Sequence, residues 1–257
     1  MEHRKLEESE FHDRQTKKSF SKKFYSITRS SQRYIWQYLN DNCPGKTILD
    51  YGCGSGEHSL KLAQNGALVY GIDISRECIE SAIARLKNAG FADRSKFSIM
   101  DAEHLQFEAK KFDYILAVSV LHHLDCEQAF FELARVLKPG GKVFCIEPLA
   151  YNPVIQWYRK NTPHMRTAWE MKHILTMKDM EIAKKFFKKV RIKFFHIFTF
   201  LAVPLQNTVF FNTVLSVLEN IDAVITRIPI VRLMAWQIAF IMSEPRDSAS
   251  GSKNIRP

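Results

Sequence analysis

Residues 48–59 read ILDYGCGSGEHS and place three glycines, Gly52, Gly54 and Gly56, behind a short apolar run that ends at Asp50. Glycine allows sharp turns and lets a ligand come close to the backbone. The following EHSLKLAQN is typical of a helix, and the start of a helix offers unpaired N–H donors. The stretch therefore predicts a strand, a glycine turn and a helix that together hold a small molecule.

Strand-like and helix-like segments alternate from Thr47 to about residue 150. Ser75 and Asp125 are predicted helix caps, and the turn KPGG (138–141) is predicted to end the helix that follows Asp125. The predicted strands cover 48–50, 68–72, 97–100, 114–118 and 143–146. Repeated strand–helix units imply parallel strands joined by right-handed crossovers, hence a doubly wound, Rossmann-like α/β sheet.

Three of these strands end in an acid, namely Asp50, Asp73 and Asp101. Ligands of doubly wound sheets bind beyond the carboxyl ends of the strands, near the point where the strand order reverses. The three carboxylates are therefore expected at one ligand-binding edge, although each alone could be a helix cap or a turn residue.

The pattern changes after residue 150. The segment 177–187 is predicted to be helical, and 190–198 and 236–243 are predicted strands. The apolar insert 199–235 between those strands is too long for an ordinary connection, so we expect it to be structured. Residues 1–46 are predicted to form a helical arm or lid, 47–245 the main domain, and 246–257 a disordered tail.

The formal net charge of +10 is unevenly distributed. Residues 47–150 carry a net charge of −3, whereas 151–235 carry +8 and 1–46 carry +4. Such a surplus keeps a protein soluble, and it also suits an anionic membrane, a nucleic acid or an acidic substrate.

Five cysteines without a C-x-x-C pair or a Cys/His cluster of zinc-ligand spacing suggest reduced thiols and predict no metal site. The polar N-terminal segment lacks the apolar core of a secretion signal, which favours a cytoplasmic location. Residues 194–218 contain no charged side chain, but Pro204, Asn207 and Asn212 argue against a membrane span.

A nicotinamide dinucleotide site is the nearest alternative for the glycine turn. Its Gly-x-Gly-x-x-Gly pattern binds a pyrophosphate at the helix start. Here the third glycine comes one position early and Glu57 takes its place. That carboxylate and Asp50 would repel pyrophosphate, so the turn favours a ligand with positive groups.

The sequence resembles the class I S-adenosylmethionine-dependent methyltransferases, in particular the small-molecule type of ubiquinone and menaquinone biosynthesis. The resemblance is carried, in order, by ILDYGCGSG, VYGIDIS, IMDAEHL, FDYILAVSVLHHL and VLKPGG. It implies a seven-stranded sheet with helices on both faces, an antiparallel last strand, and a helical insert before that strand.

The resemblance also implies roles for individual residues. Asp50 would hold the cationic amino group of S-adenosylmethionine, and Asp73 would accept both ribose hydroxyls. Ile74 and Val118 would pack on the adenine, with plain core packing as the alternative. The predicted cofactor-binding residues are Asp50, Gly52, Cys53, Gly54, Gly56, Asp73, Ile74, Asp101, Ala102 and Val118.

A base for the methyl acceptor is sought in LHHL, because histidine has an ordinary pKa of about 6.5. His123 is the first candidate and His122 the second, with a structural or pocket-wall role as the favoured reading of the pair. Glu147 is read as an ordinary polar loop residue. His12 and Tyr25 in the N-terminal segment are further residues that would touch substrate if that segment closes over the cofactor, and a solvated basic helix is the equally favoured alternative for the segment.

The apolar insert suits a lipophilic acceptor, such as a quinone, isoprenoid or natural product of secondary metabolism. A peripheral membrane contact is one option, with Lys184, Lys185, Lys188, Lys189, Arg191 and Lys193 nearby. The insert would equally serve as a sheet cover or a dimer contact, so monomer and homodimer both remain open. A nucleic-acid substrate and a module that binds the cofactor without methyl transfer are the alternative functions.

Overall fold

The computed structural model describes residues 2–16 and 26–246. Within these residues the strands are β1 Thr47–Tyr51, β2 Leu68–Asp73, β3 Ser95–Ile99, β4 Phe112–Val118, β5 Leu137–Pro148, β6 Phe187–Phe195 and β7 Gln237–Pro245. They form a seven-stranded sheet in the order β3-β2-β1-β4-β5-β7-β6. β7 runs antiparallel to both of its neighbours, β5 and β6, whereas the pairs from β3 to β5 are parallel. The predicted fold class is confirmed.

The α-helices of the described residues are α1 Glu2–Thr16, α2 Arg29–Asn42, α3 Glu57–Gln64, α4 Arg76–Asn88, α5 Cys126–Val136, α6 Pro153–Asn161, α7 Met177–Phe186 and α8 Phe211–Ile225. Successive strand residues point to opposite faces of the sheet. Ile48 of β1 packs with α2, α3 and α4, whereas its neighbour Leu49 packs on the side of α5 and α7. The sheet is therefore buried between two helical layers.

The predicted helix caps agree with the structure. The Ser75 hydroxyl accepts a hydrogen bond from the Cys78 amide at 3.0 Å, and the Asp125 carboxylate accepts bonds from the Glu127 and Gln128 amides at 3.0 and 3.1 Å. Each side chain satisfies amide donors that have no partner inside the helix.

Several strand boundaries differ from the sequence prediction: β4 begins at Phe112 and not at residue 114, and β6 spans Phe187–Phe195 and not 190–198. β3 begins at Ser95 and not at residue 97. β5 begins at Leu137 and includes the KPGG turn, which was predicted to lie before the strand. A Cβ at Gly141 would lie 2.7 Å from the Asp113 carbonyl oxygen, so this glycine lets β5 approach β4 closely.

The insert between β6 and β7 is structured, as predicted. It consists of a 3-10 helix at Thr199–Leu205, α8, and a second 3-10 helix at Val231–Met234. The buried Asp222 carboxylate accepts hydrogen bonds from the Ile197 and Phe198 amides at 3.0 and 2.9 Å, which ties α8 to the end of β6. Across the described residues, no helix is both long and apolar enough to cross a membrane.

The terminal segments were predicted as an arm and a tail. α1 and α2 lie within the predicted arm, and the division into domains stays a prediction. Tyr25 and the tail beyond Arg246 lie outside the described residues.

Candidate active site

A cavity of about 250 Å³ lies beyond the carboxyl ends of β1, β2 and β4. The strand order reverses between β1 and β4, so the cavity occupies the switch point where doubly wound sheets bind ligands. Eight of the predicted site residues line it: Gly52, Gly54, Asp73, Ile74, Asp101, Ala102, Val118 and His123.

Asp73 joins the glycine turn to the end of β2. Its Oδ2 accepts a hydrogen bond from the Gly54 amide at 2.9 Å, and its Oδ1 accepts one from the Ser75 amide at 2.9 Å. A carboxylate oxygen has two lone-pair sites, so each oxygen retains one for a ligand hydroxyl. The carboxylate is thereby fixed in place at the cavity wall.

Gly52 adopts φ +74°, a backbone conformation that other residues rarely adopt. A Cβ at this position would also lie 2.5 Å from Cγ2 of Val120, which lines the cavity. The glycine thus lets the turn lie against the loop that follows β4. Gly56 allows a similarly close approach at the other end of the turn, because a Cβ at this position would lie only 2.9 Å from Cβ of Ala82 in α4.

Three predicted cofactor residues do not line the cavity: Asp50, Cys53 and Gly56. Asp50 is buried beneath the turn, where its Oδ2 accepts a hydrogen bond of 2.5 Å from the Ser59 hydroxyl. Burial, together with the nearby charge of Asp73, raises the pKa of Asp50 to about 7. Cys53 is also buried, and burial raises the pKa of its thiol well above the usual value.

The two adjacent histidines have different surroundings. His122 is buried and its Nδ1 lies 2.6 Å from Oε2 of Glu147, whereas His123 lines the cavity. Burial lowers the pKa of His122 well below the ordinary value and raises the pKa of Glu147 to about 7. The geometry therefore separates a buried support, His122, from a cavity residue, His123.

Glu147 lies at the end of β5 and holds the loop that carries these histidines. Its Oε1 accepts hydrogen bonds of 2.8 Å from the amides of both Val120 and Leu121. It is fully buried and differs from the ordinary polar loop residue that the sequence suggested. A carboxylate that accepts two amides and contacts His122 fixes the loop geometry beside the cavity.

α1 forms the roof of the cavity with Arg4, Lys5, Glu8 and His12, of which the sequence analysis named only His12. Lys5 pairs with Asp101, and Arg4 pairs with the buried Glu103. Burial alone would raise the pKa of Asp101, but hydrogen bonds from Lys5 and His104 hold it below its usual value.

The far end of α1 also rests on the predicted cofactor loops. Ser9 donates a hydrogen bond to the Ile74 carbonyl at 3.2 Å, and Asp13 accepts one from the Ser75 hydroxyl at 2.5 Å. Contacts at Asp101, Ile74 and Ser75 thus connect the roof to both ends of the cavity wall. A ligand in the cavity would lie between α1 and the sheet.

Residues 49–145 match the family model of a methyltransferase domain. The chain is 41% identical to Methyltransferase GfsG of Streptomyces halstedii over 105 residues, which cover 40% of this chain and 38% of that protein. It is 37% identical to a ubiquinone biosynthesis O-methyltransferase of Coxiella burnetii over 117 residues, 44% of this chain and 47% of that protein. The chain thus spans less than half the length of these curated relatives.

Solved structures share the fold over most of the chain. Phosphoethanolamine N-methyltransferase 2 of Haemonchus contortus, in complex with S-adenosylmethionine, matches 92% of this chain and 60% of its own, with a TM-score of 0.60 and 19% identity. Geranyl diphosphate C-methyltransferase of Streptomyces coelicolor, in complex with Mg²⁺, geranyl diphosphate and S-adenosylhomocysteine, matches 82% of this chain and 78% of its own, with a TM-score of 0.57 and 14% identity.

The sheet order and the cavity at its switch point define a doubly wound α/β domain with a ligand-sized cavity at its expected place. Residues 49–145 of this domain match the methyltransferase family model, in agreement with the resemblance of the sequence to class I S-adenosylmethionine-dependent methyltransferases.

Proposed function

We propose that the protein transfers the methyl group of S-adenosylmethionine to a small molecule. The observation that carries this proposal is the Asp73 carboxylate, fixed between the amides of Gly54 and Ser75 at the cavity wall. Two vicinal ribose hydroxyls match its two remaining acceptor positions. The family match and the cofactor complexes of the structural neighbours support the same ligand.

The other cavity residues fit the remaining parts of this cofactor. Ile74 and Val118 offer apolar surface for the adenine, and Asp101 and Ala102 lie where its polar edge would bind. Asp50 lies beneath the glycine turn, from where its charge would attract the ammonium group of the methionine part. The sulfonium of the bound cofactor supplies the reactivity, so the protein has to bind and align the acceptor.

The proposed acceptor is a small lipophilic metabolite, and His123 is the residue proposed to take a proton from it. His123 is the histidine of the LHHL segment that faces the cavity. The curated relatives include a ubiquinone biosynthesis O-methyltransferase and a 27-O-demethylrifamycin SV methyltransferase, and both names support a small-molecule acceptor. The insert also supports a lipophilic acceptor. The chain leaves β6 and enters β7 at the end of the sheet where the cavity lies, so the insert is on the same side of the molecule as the cavity.

We extend the proposal to a peripheral contact between the insert and a membrane surface. α8 and the segments beside it expose a group of large apolar side chains: Val209, Phe210, Val217, Ile221, Val224, Ile228 and Ile230. Asp222 is buried and Glu219 pairs with Arg29, so their carboxylates are compensated within the protein. Such a surface suits the boundary between headgroups and acyl chains.

The basic residues expected near this contact are already partly compensated. Lys184 pairs with Glu181, Lys185 with Glu127, and Lys189 with Glu244. The apolar side chains of the insert therefore contribute more to the proposed contact than the lysines do.

Calorimetry with S-adenosylhomocysteine tests the cofactor part of the proposal. We expect measurable heat with one molecule bound per chain, and the absence of heat would contradict the whole proposal. Incubation with methyl-labelled cofactor and a lipophilic extract then tests the transfer. We expect label in one extracted compound, whereas cofactor binding without any labelled product would identify a binding module that transfers no methyl group.

A further inference from the structure

Glu8 and His12 of α1 meet His123 of the loop after β4 at the cavity wall. Oε2 of Glu8 lies 3.0 Å from Nδ1 of His123 and 3.6 Å from Nε2 of His12. One nitrogen from each imidazole and one carboxylate oxygen all lie within 4.8 Å of one another. The i, i+4 spacing of Glu8 and His12 places both side chains on one face of α1.

The contact between Glu8 and His123 is close without being a well-aligned hydrogen bond. The two atoms are 3.0 Å apart and form a close ionic contact, but its angles fall outside those of a hydrogen bond. Two ligands at about 2.1 Å from one metal ion, at angles of about 90° to 110°, are roughly 3.0 to 3.4 Å apart. The 3.0 Å separation of Glu8 and His123 falls within this range, and the 3.6 Å separation of Glu8 and His12 lies slightly above it.

The second oxygen of the Glu8 carboxylate is already used. Oε1 accepts a hydrogen bond of 2.5 Å from the hydroxyl of Thr167, and the Glu8 side chain is 95% buried by the surrounding structure. A hydrogen bond of this kind orients a ligating carboxylate and leaves its other oxygen for the ion. Thr167 therefore has the position of an outer partner that fixes the ligand.

Two other clusters of metal-binding side chains occur in the described residues, and both have cationic partners. Asp101 and Glu103, which cluster with His104, pair with Lys5 and Arg4. The second cluster joins His122, His123 and Glu170, and Glu170 pairs with Arg159 at 2.8 Å. Within the described residues no Lys or Arg pairs with Glu8. The charged partners of Glu8 are the imidazoles of His12 and His123, and a divalent cation held by all three side chains would neutralise its buried charge.

We propose that Glu8, His12 and His123 form a binding site for a divalent transition metal ion, with Zn²⁺ as the best-matched ion. Two imidazole nitrogens and one carboxylate oxygen are a frequent ligand set of Zn²⁺ sites that keep an open position. Because all three residues line the cavity, that open position faces the space available to the acceptor. It would accept an oxygen donor of the acceptor and lower the pKa of that group, so with the ion bound the metal would take over the task proposed above for His123 as a base. This role rests on the proposed methyl transfer.

The linear sequence could not reveal this site, and the sequence analysis predicted no metal. Its ligands lie on α1 and on a loop more than one hundred residues further along the chain. The site forms only where α1 rests on the end of β4.

Calorimetric titration of the metal-free full chain with Zn²⁺ tests the proposal, because it needs no acceptor and no turnover. We expect one tight site in the wild type. Loss of an outer partner costs 10- to 100-fold in metal affinity, so loss of a ligand in His12→Ala, His123→Ala or Glu8→Gln is expected to cost about 100-fold or more. Co²⁺ offers a second readout, since its visible absorption band reports nitrogen and oxygen ligands directly.

His3→Ala is the matched control, because His3 is an exposed histidine of the same helix outside the cluster. Its Zn²⁺ affinity should equal that of the wild type. The proposal is overturned if His12→Ala and His123→Ala still bind Zn²⁺ tightly. It is also overturned if the wild type binds Zn²⁺ no better than these variants do. Binding of S-adenosylhomocysteine to the metal-free chain is measured separately, so failure of the metal site and failure of the proposed function are distinguishable.

Discussion

Oδ2 of Asp73 lies 2.9 Å from the amide nitrogen of Gly54, so one carboxylate sets the distance between the end of β2 and the glycine turn. The second oxygen makes the equivalent bond to Ser75. Any ligand that binds the turn therefore also meets this carboxylate.

The first prediction concerns Asp73→Ala. The change removes two acceptors for the ribose and two acceptors for the backbone, and hydrogen bonds to charged groups contribute about 1.5 to 3 kcal/mol each. We expect the affinity for S-adenosylhomocysteine to fall by about 100-fold in calorimetry. Asp93→Ala removes an exposed carboxylate and should leave the affinity unchanged. Equal affinities of the two variants would contradict the role of Asp73.

The second prediction compares two glycines with similar backbone conformations. Gly52→Ala introduces a Cβ at 2.5 Å from Val120, whereas Gly90→Ala meets nothing within 4 Å, and both have positive φ values of +74° and +80°. The alanine at Gly90 is expected to cost about 1 kcal/mol in urea unfolding because of its φ alone. Gly52→Ala should cost at least about 1 kcal/mol more, because overpacking adds to the strain, and it should weaken cofactor binding.

The third prediction tests the roof of the cavity. Lys5→Ala removes the ion pair with Asp101 that joins α1 to the wall. We expect S-adenosylhomocysteine to dissociate faster, by up to about fivefold, because partly exposed ion pairs contribute about 1 kcal/mol or less. Stopped-flow displacement measures the rate. Lys172→Ala, at an exposed lysine, is the control, and an unchanged rate in Lys5→Ala would show that the pair does not retain the ligand.

The fourth prediction is a pH dependence of folding stability. The pKa of Asp50 is about 7 in the folded protein and about 3.8 when unperturbed. Between these values the folded state binds a proton that the unfolded state lacks, so stability falls as the pH rises towards 7. The loss between about pH 5.5 and pH 7 is of the order of 2 kcal/mol.

Asp50→Asn isolates that contribution, since its neutral amide can still accept the Ser59 hydrogen bond. Urea unfolding of the variant should show a shallower pH dependence and a higher stability than the wild type above about pH 7. Glu147, with a pKa of about 7, adds a dependence of the same sign to both proteins. Identical slopes in the two proteins would contradict the raised pKa of Asp50.

The fifth prediction concerns the exposed apolar side chains of α8. Val217→Asp with Ile221→Asp places charges where the proposed membrane contact would bury methyl groups. We expect co-sedimentation with phosphatidylglycerol vesicles to decrease by about tenfold or more. Ile83→Asp changes an exposed apolar residue of α4 and serves as the control. Vesicle binding that is equal in both variants would contradict the contact.

Those parts of the fold that depend on local patterns were predictable from the sequence. The apolar runs, the caps Ser75 and Asp125 and the glycine turn each leave a signal within a few residues. The predicted start of β5 was wrong. Gly140 and Gly141 are typical of a turn, but pairing with β4 extends the strand through them. Pairing of this kind is tertiary and leaves no local signal.

The candidate site was only half predictable for the same reason. Motif spacing placed Asp73, Asp101 and His123 at the cavity, and the structure agrees. Lys5 and Glu8 were missed because their partners are about one hundred positions away in the sequence. The only available signal was the spacing of Lys5, Glu8 and His12, which puts three titratable groups on one helical face.

Among the residues that the structure describes, β6 is an outer strand of the sheet, since its single neighbour in the sheet order is β7. An outer strand presents unpaired backbone groups to which another chain can add as a further strand. Lys188, Arg191 and Lys193 project from this strand, and two copies brought edge to edge would oppose like charges along it. The basic side chains of β6 therefore disfavour the pairing of two copies through this strand.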